Sequence, residues 1–294
     1  MRTSLITTIV LMATLAGAVP GTKAASIFES DAELTPGSEI DKLVLDRLQQ
    51  LGIQPARVCS DEVFVRRVYL DVLGTLPTSD EAREFLKDQD PQKRRALIDR
   101  LLEREEFADY WAMKWGDVLR VKAEFPINLW PNAVQAYHRW IRTSIKENVP
   151  YDRFVREMLT ANGSNFRVGQ VNFYRATQNK SPEGVAEAVA LSFMGVRADT
   201  WPQDKLAGLA AFFSKNRYKP TKEWKEEIVF FDPRKAADEP GVIGRESLTP
   251  EGQPTPTAAA RPMPGPIEAV FPDGERVTIP PEQDPRVVFA DWLI

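Results

Sequence analysis

The sequence contains one cysteine, Cys59, and one histidine, His138, among its 294 residues. A single thiol excludes an internal disulfide bond, and this pair is too small for a cysteine–histidine metal site, which normally takes three or four ligands. Covalent haem c needs two thiols followed directly by a histidine, whereas these two residues lie 79 positions apart. We therefore expect no metal and no cofactor. A haem held without covalent bonds by His138 is the alternative that stays open.

The sequence also lacks an excess of basic residues. It has 38 lysines and arginines against 42 aspartates and glutamates, a net charge of −4. If the first 24 residues, with Arg2 and Lys23, are left out as a predicted signal peptide, the balance is 36 basic against 42 acidic residues, a net charge of −6. A mildly acidic chain has no general electrostatic attraction to phosphate backbones, so we expect no nucleic-acid partner. Beyond the N-terminus no apolar run approaches the roughly 20 residues of a membrane span, so we expect none in the mature chain.

The N-terminus has the pattern of a secretory signal peptide. Arg2 precedes an apolar run over residues 5–15, and small residues follow it. Thr22 and Ala24 suit the positions before a cleavage site, which predicts a signal peptide over residues 1–24, with cleavage after Ala18 as the alternative. The apolar run is too short for a membrane anchor. We therefore expect an exported protein, periplasmic or secreted.

Apolar residues at helical spacing dominate the next two hundred positions. An N-terminal arm over residues 25–38 precedes them, and capping residues such as Ser60 and Ser79, or Pro91 in a first turn, mark where helices begin. The fold class predicted is mainly α, a multi-helix globular domain over residues 39–232. Helices are predicted at 39–51, 60–73, 79–87, 91–102, 106–121, 133–147, 151–161, 183–196 and 202–214.

The composition changes after residue 232. Residues 233–266 hold eight of the 23 prolines, which predicts an extended Pro-rich linker. A strand is predicted at 228–231, before the linker. Behind the linker, Asp273-Gly274 lies between two β-prone runs, the strongest short-range signal for a β-hairpin. We expect a small β-hairpin unit over residues 267–294.

Two ordered strings resemble the DUF1549 family, which occurs in planctomycete and related bacterial proteins. The first string comprises Arg66, Arg67, Tyr69, Asp71, Gly74, Leu76, Pro77 and Thr78, and the second comprises Trp111, Trp115, Gly116 and Asp117. Residues 206–214 resemble a third family segment, and residues 284–294 resemble the opening of the DUF1553 domain that commonly follows. Family members often carry a Cys-x-x-Cys-His stretch that residues 193–206 lack. The resemblance implies a fold and a cell-envelope setting, but no reaction.

One candidate binding group lies on the second predicted helix. Arg66 and Arg67 could clamp a carboxylate or another anion, because a guanidinium binds such groups through two parallel hydrogen bonds. Asp71 lies four residues after Arg67, so the two can instead form a structural pair along the helix.

A second candidate group is aromatic. Trp111, Trp115, Trp130 and His138, with Asp117 and polar neighbours such as Arg120 and Arg139, fall within about thirty residues and could stack a sugar ring. The alternative is that these aromatic residues form core. The polar loop at residues 162–167 is a further place where a ligand could bind.

These observations predict an exported, non-catalytic binding or scaffolding domain of a bacterial cell-envelope protein. Its expected partner is a cell-envelope protein or an extracellular glycan. The alternative is an extracellular enzyme that acts on a polysaccharide-type substrate in an aromatic-lined cleft. A carboxylate-pair hydrolase would need two acids about 5–10 Å apart in an open groove, and Asp109, Asp117 and Glu124 are the nearest candidates.

Overall fold

A computed structural model of the chain describes residues 26–30, 32–124, 127, 129–236, 239, 241–242 and 263–294. The predicted signal peptide and most of the predicted Pro-rich linker lie outside these residues. The prediction of a mainly α fold with a small C-terminal β unit is confirmed, with 53% of the described residues helical. Within the described residues no helix combines the length and the apolar character needed to cross a membrane.

The chain divides into two compact units, one of Met1–Arg67 with Leu76–Asp90 and one of Val68–Thr75 with Pro91–Ile294. The first unit contains α1 (Glu39–Gln50) and α3 (Ser79–Lys87). Each begins with a capping box, in which Ser38 or Thr78 accepts from a backbone N–H three residues on and that residue's carboxylate accepts in return. In sequence, α2 (Asp61–Leu73) begins in the first unit and ends in the second.

The second unit holds the other helices. Prolines at the first turns of three of them fit the missing N–H at a helix start. One helix continues as a π-helical turn, Ala190–Met194, and another as a 3-10 turn, Ala211–Phe213. The helices are α4 (Lys93–Leu102), α5 (Glu105–Val118), α6 (Pro131–Lys146), α7 (Tyr151–Thr160), α8 (Asn172–Ala176), α9 (Pro182–Val189), α10 (Gln203–Ala210) and α11 (Pro285–Leu293).

Two small antiparallel sheets belong to the second unit. The first has the order β1 (Gly163–Ser164), β3 (Glu227–Phe231), β2 (Asn216–Pro220), with β3 in the centre. The second is the predicted hairpin of β4 (Ile267–Val270) and β5 (Arg276–Ile279).

The C-terminal residues pack into the same core as the helices of the second unit. Phe212 stacks on Phe271 at 4.8 Å between ring centroids and contacts Phe289 at 5.3 Å. Helix α10 approaches β4 so closely that a Cβ on Gly208 would lie 2.7 Å from the Cβ of Val270. The hairpin and α11 therefore contribute buried side chains to one continuous hydrophobic cluster. The predicted division into a helical domain, linker and hairpin unit stays a prediction.

Candidate functional site

The second unit contains a cavity of about 490 Å³ that four segments surround. Arg120 follows the end of α5, and Thr177, Gln178 and Asn179 connect α8 to α9. Helix α9 contributes Glu187 and small apolar residues, and the 3-10 turn Ala198–Thr200 closes the set. The volume lies within the roughly 300–1,000 Å³ of small-molecule sites.

Arg120 is the cationic group of this cavity that has no counter-ion. Its backbone has a φ of +58°, a conformation that non-glycine residues rarely adopt, and its N–H donates to the Asp117 carbonyl at 3.3 Å. The half-buried guanidinium has no ion pair in the described part of the chain, and its Nη1 is buried without a hydrogen-bond partner there. Burial lowers the pKa of Arg120, yet a guanidinium stays charged in proteins. This leaves a desolvated positive charge beside the cavity, which is costly unless something binds it.

The connection between α8 and α9 is held rigidly. The Thr177 hydroxyl donates to the Phe173 carbonyl at 3.1 Å, and Ser181 caps α9 by accepting from the Gly184 N–H at 3.2 Å. Gly184 lies so close to Asn179 that a Cβ there would come within 2.3 Å of the Asn179 carbonyl oxygen. The exposed side chains of Gln178 and Asn179 are thus presented at the cavity from a fixed backbone, and their amides can both donate and accept hydrogen bonds.

Two carboxylates also line the cavity. Asp199 pairs with Arg197 at 3.1 Å, and the hydrogen bond from Arg197 lowers the pKa of Asp199. The Glu187 side chain is half-buried and forms no ion pair or hydrogen bond with any described residue. The cavity therefore offers one unpaired cation, one unpaired carboxylate and one internal ion pair. Among the described residues no three His, Cys, Asp or Glu side chains are grouped so that they could hold a metal ion.

A buried polar cluster adjoins the α8–α9 connection in sequence. Glu227 accepts from Arg175 at 2.8 Å and from Lys180 at 3.4 Å, and the Lys180 Nζ lies 5.0 Å from the ring centre of Tyr218. Burial lowers the pKa of Lys180 and raises that of Tyr218, whose buried hydroxyl has no hydrogen-bond partner in the described ranges. These contacts tie both ends of the connection to β3.

The three predicted residues on α2 are all exposed. Arg66, Arg67 and Asp71 form no ion pair or side-chain hydrogen bond with any residue that the structure describes. None of them lines the cavity at Arg120. Their proposed role as an anion clamp stays a prediction.

The predicted aromatic group is divided between core and surface. Trp115 packs against Phe154 at 5.5 Å between ring centroids, and Phe154 stacks in turn on Trp140 at 4.6 Å. Trp111 is 37% exposed and donates its Nε1–H to the Val72 carbonyl at 3.2 Å. These rings help to pack α5, α6 and α7 and do not line the cavity.

The remaining predicted residues lie apart from the cavity as well. Trp130 is 42% exposed with a φ of +68°, Asp117 is exposed, and His138 is half-buried on α6. The polar loop at 162–167 serves the sheet, because the fully buried Asn165 accepts from the Glu227 N–H at 2.9 Å.

Sequence reasoning named Arg120 only as a polar neighbour of the tryptophans and missed the other cavity residues. Glu187 sits in an ordinary helical pattern, and Asn179 precedes an ordinary N-cap. No local signal marks either of them. The cavity residues are spread over nearly 80 positions, from Arg120 to Asp199, and only the fold brings them together.

The structure is a mainly helical domain with a cavity that is lined by both polar and apolar residues. Residues 39–218 match the model of the family described as PSCyt2, a protein of unknown function (DUF1549), and the chain belongs to this family. This confirms the resemblance noted from the sequence, while the likeness to DUF1553 stays a prediction. Searches of curated proteins and of solved structures gave no match. All the residues that line the cavity lie inside the matched range.

Proposed function

We propose that the chain is an exported, non-catalytic binding domain of a bacterial cell-envelope protein and that its ligand occupies the cavity at Arg120. The observation that carries the proposal is that Arg120, whose buried Nη1 lacks a partner among the described residues, is one of the residues that line a cavity of ligand size. Export rests on the N-terminal sequence pattern.

The cavity favours a glycan over a protein as the partner. A stable protein–protein contact usually buries about 800 Å² on each side, whereas a cavity of this size accepts a small molecule or the end of a chain. Amide, carboxylate and guanidinium groups supply the directional hydrogen bonds that sugar hydroxyls need. A glycan fragment therefore fits this site better than a folded protein does.

A binding role is favoured over catalysis by the states of the cavity's polar groups. The Thr177 hydroxyl donates to a main-chain carbonyl, and Asp199 is held ionised by Arg197. Neither group is poised as a proton donor.

An enzyme that acts on a polysaccharide is the second candidate. It is supported by the presence of both Glu187 and Asp199 at one cavity, because glycoside hydrolases use a pair of carboxyl groups. In that case Glu187→Gln abolishes the release of reducing sugar from an envelope polysaccharide, while the same change at the exposed Glu183 leaves it intact. Absence of any such release from the wild-type chain removes this candidate.

The binding proposal is tested by blocking the cavity. Leu191 lines it and is 53% exposed, so Leu191→Trp fills the opening without disturbing the core. Leu102→Trp is the matched control, since Leu102 is 45% exposed on α4 and lies away from the cavity. The full chain is screened by ligand-observed NMR against neutral and acidic monosaccharides and disaccharides. We expect binding by the wild type and the control and none by Leu191→Trp. If no sugar binds in this selective way, the proposal is wrong.

Export is tested separately from binding. The protein is recovered from cells that make it from its native gene, and its N-terminus is sequenced. The proposal expects Ala25 at or near the first position, whereas a native protein that begins with Met1 would contradict it.

A further inference from the structure

We infer that the ligand is an acidic sugar, a pyranose with one carboxylate, and that Arg120 binds this carboxylate. The inference rests on the proposed function, because it names the ligand class of the same cavity. It depends on the charges and hydrogen-bonding groups that the cavity presents.

The positive charge of Arg120 requires an anionic partner. Its guanidinium is half-buried and has no ion pair or hydrogen bond in the described part of the chain. A neutral ligand would displace the remaining water and leave this charge more poorly solvated than before. A carboxylate can instead accept two parallel hydrogen bonds from the guanidinium, the strongest geometry available to it.

The other charged groups of the cavity favour a ligand with a single negative charge. Arg197 already pairs with Asp199 at 3.1 Å, so it does not offer a second free cation. Glu187 lines the same cavity without a counter-ion, and it would repel a phosphate dianion. A carboxylate carries one charge, which matches the one unpaired guanidinium.

The remaining polar groups of the cavity favour a ligand that carries hydroxyl groups. The Glu187 carboxylate only accepts hydrogen bonds, while the amides of Gln178 and Asn179 both donate and accept. A ring with several hydroxyl groups satisfies all three at once, since each hydroxyl is both donor and acceptor. An amino acid, with its ammonium group at Glu187, is the competing ligand class, but it forms no hydrogen bond with the Gln178 amide or with the Asn179 Nδ2, whose Oδ1 already accepts from the Ser181 N–H at 3.0 Å.

The test compares ligands that differ only in the carboxylate. Binding of glucuronate and galacturonate to the full chain is measured by titration calorimetry beside glucose, galactose and a mixture of free amino acids. We expect each uronate to bind at least tenfold more tightly than its neutral hexose, since hydrogen bonds between charged groups are stronger than those between neutral groups. This advantage should shrink as salt is added.

Variants then assign the preference to one side chain. Arg120→Gln should remove the preference for the uronate, and Arg120→Lys should keep part of it, because the charge remains but the two-pronged geometry is lost. Arg139→Gln is the control, since Arg139 is exposed on α6 and forms no ion pair in the described ranges. Thermal unfolding of each variant checks that it is folded. If Arg120→Gln does not fold, the comparison of Arg120→Lys with the wild type tests whether Arg120 causes the preference for the uronate.

The outcomes separate this inference from the proposed function. Equal binding of uronate and neutral hexose, blocked by Leu191→Trp, would overturn the acidic-sugar assignment and leave the binding function standing. Binding of free amino acids without uronates would do the same. Failure of every sugar to bind in a way that Leu191→Trp blocks would overturn both.

Discussion

Two constraints favour glycine at position 74, one from the backbone conformation and one from the packing of a neighbouring side chain. Gly74 follows α2 with a φ of +69°, which L-amino acids with a side chain rarely adopt. A Cβ at this position would also lie 2.3 Å from the Cδ2 and Cε2 atoms of Tyr110. Backbone conformation and side-chain packing therefore both exclude any other residue here.

We predict that Gly74→Ala lowers the free energy of unfolding by about 2–4 kcal/mol, the sum of a left-handed backbone penalty and an overpacking penalty. Gly195→Ala is the control, because Gly195 has a φ of +65° but no atom within 4 Å of its Cβ position. Its loss should be only about 1 kcal/mol. Urea denaturation measures both, and equal losses would contradict the role assigned to Tyr110.

Tyr174 couples the stability of the second unit to alkaline pH. It is fully buried, its hydroxyl donates to the Leu159 carbonyl, and burial raises its pKa to about 12. The unfolded pKa is about 10, so the folded state favours the neutral phenol. The stabilisation is complete below about pH 10 and is lost as the pH rises toward 12.

We predict that stability falls between about pH 10 and pH 12 and falls less steeply in Tyr174→Phe, which has no proton to lose there. Urea midpoints measured at several pH values check the slope. An ultraviolet titration should show one fewer late-titrating tyrosine in the variant. An unchanged number would mean that Tyr174 ionises in the folded protein.

At the scale of elements, α11 is joined to the end of α7 by one buried guanidinium. Arg286 is 1% exposed and donates to Asp284 at 2.7 Å, to the Ala161 carbonyl at 3.0 Å and to the Asn162 Oδ1 at 2.8 Å. It also lies 5.7 Å from the ring centre of Tyr174. The charge is thus fully paired, which is the condition for burying it.

We predict that Arg286→Met costs about 3–5 kcal/mol of stability, because Asp284 and two carbonyl-type acceptors would lose their donor inside the protein. Arg276→Met is the control, since the Arg276 side chain is exposed on β5 and forms no ion pair with any described residue, and its effect should stay within about 0.5 kcal/mol. Chemical denaturation measures both. Similar small effects would mean that water replaces the lost donor.

Helices with a clear apolar stripe and a capping residue were predictable from the sequence. Helix α3 has both, with Phe85 as its buried residue, although its capping box is formed by Thr78 and Glu81 and the cap thus lies one residue before the predicted Ser79. The short α8 and the strand β2 were not predicted. Strand β2 has no regular alternation, and it is a strand because it pairs antiparallel with the next strand, β3. The predicted helix at 183–196 ends earlier as an α-helix, because the chain passes into the π-helical turn after Val189.

At the scale of the whole molecule, the composition predicted a boundary at the Pro-rich stretch but could not predict the contacts between the residues on either side of it. The Pro-rich stretch suggested that the hairpin forms a unit of its own. In the structure Ala269, Ile279 and Phe289 are each at most 1% exposed within a cluster shared with α9 and α10. The binding cavity was hidden for the same reason, since its four segments meet only in the folded chain. Local patterns therefore predicted the elements but not the long-range contacts among them.

This packing leads to a prediction about the protein after it has been cut. The proline-rich composition of residues 234–266 predicts that a mild protease cleaves there first. The C-terminal fragment should nevertheless stay bound to the rest of the second unit, because Phe271 and Phe289 stack on Phe212 and Arg286 bonds to the end of α7. Size-exclusion chromatography of the cut protein should give one peak that contains both fragments, which separate only in denaturant. Phe289→Ala removes a fully buried ring and should weaken their association. Separation of the wild-type fragments in native buffer would instead show that residues 263–294 form an independent unit.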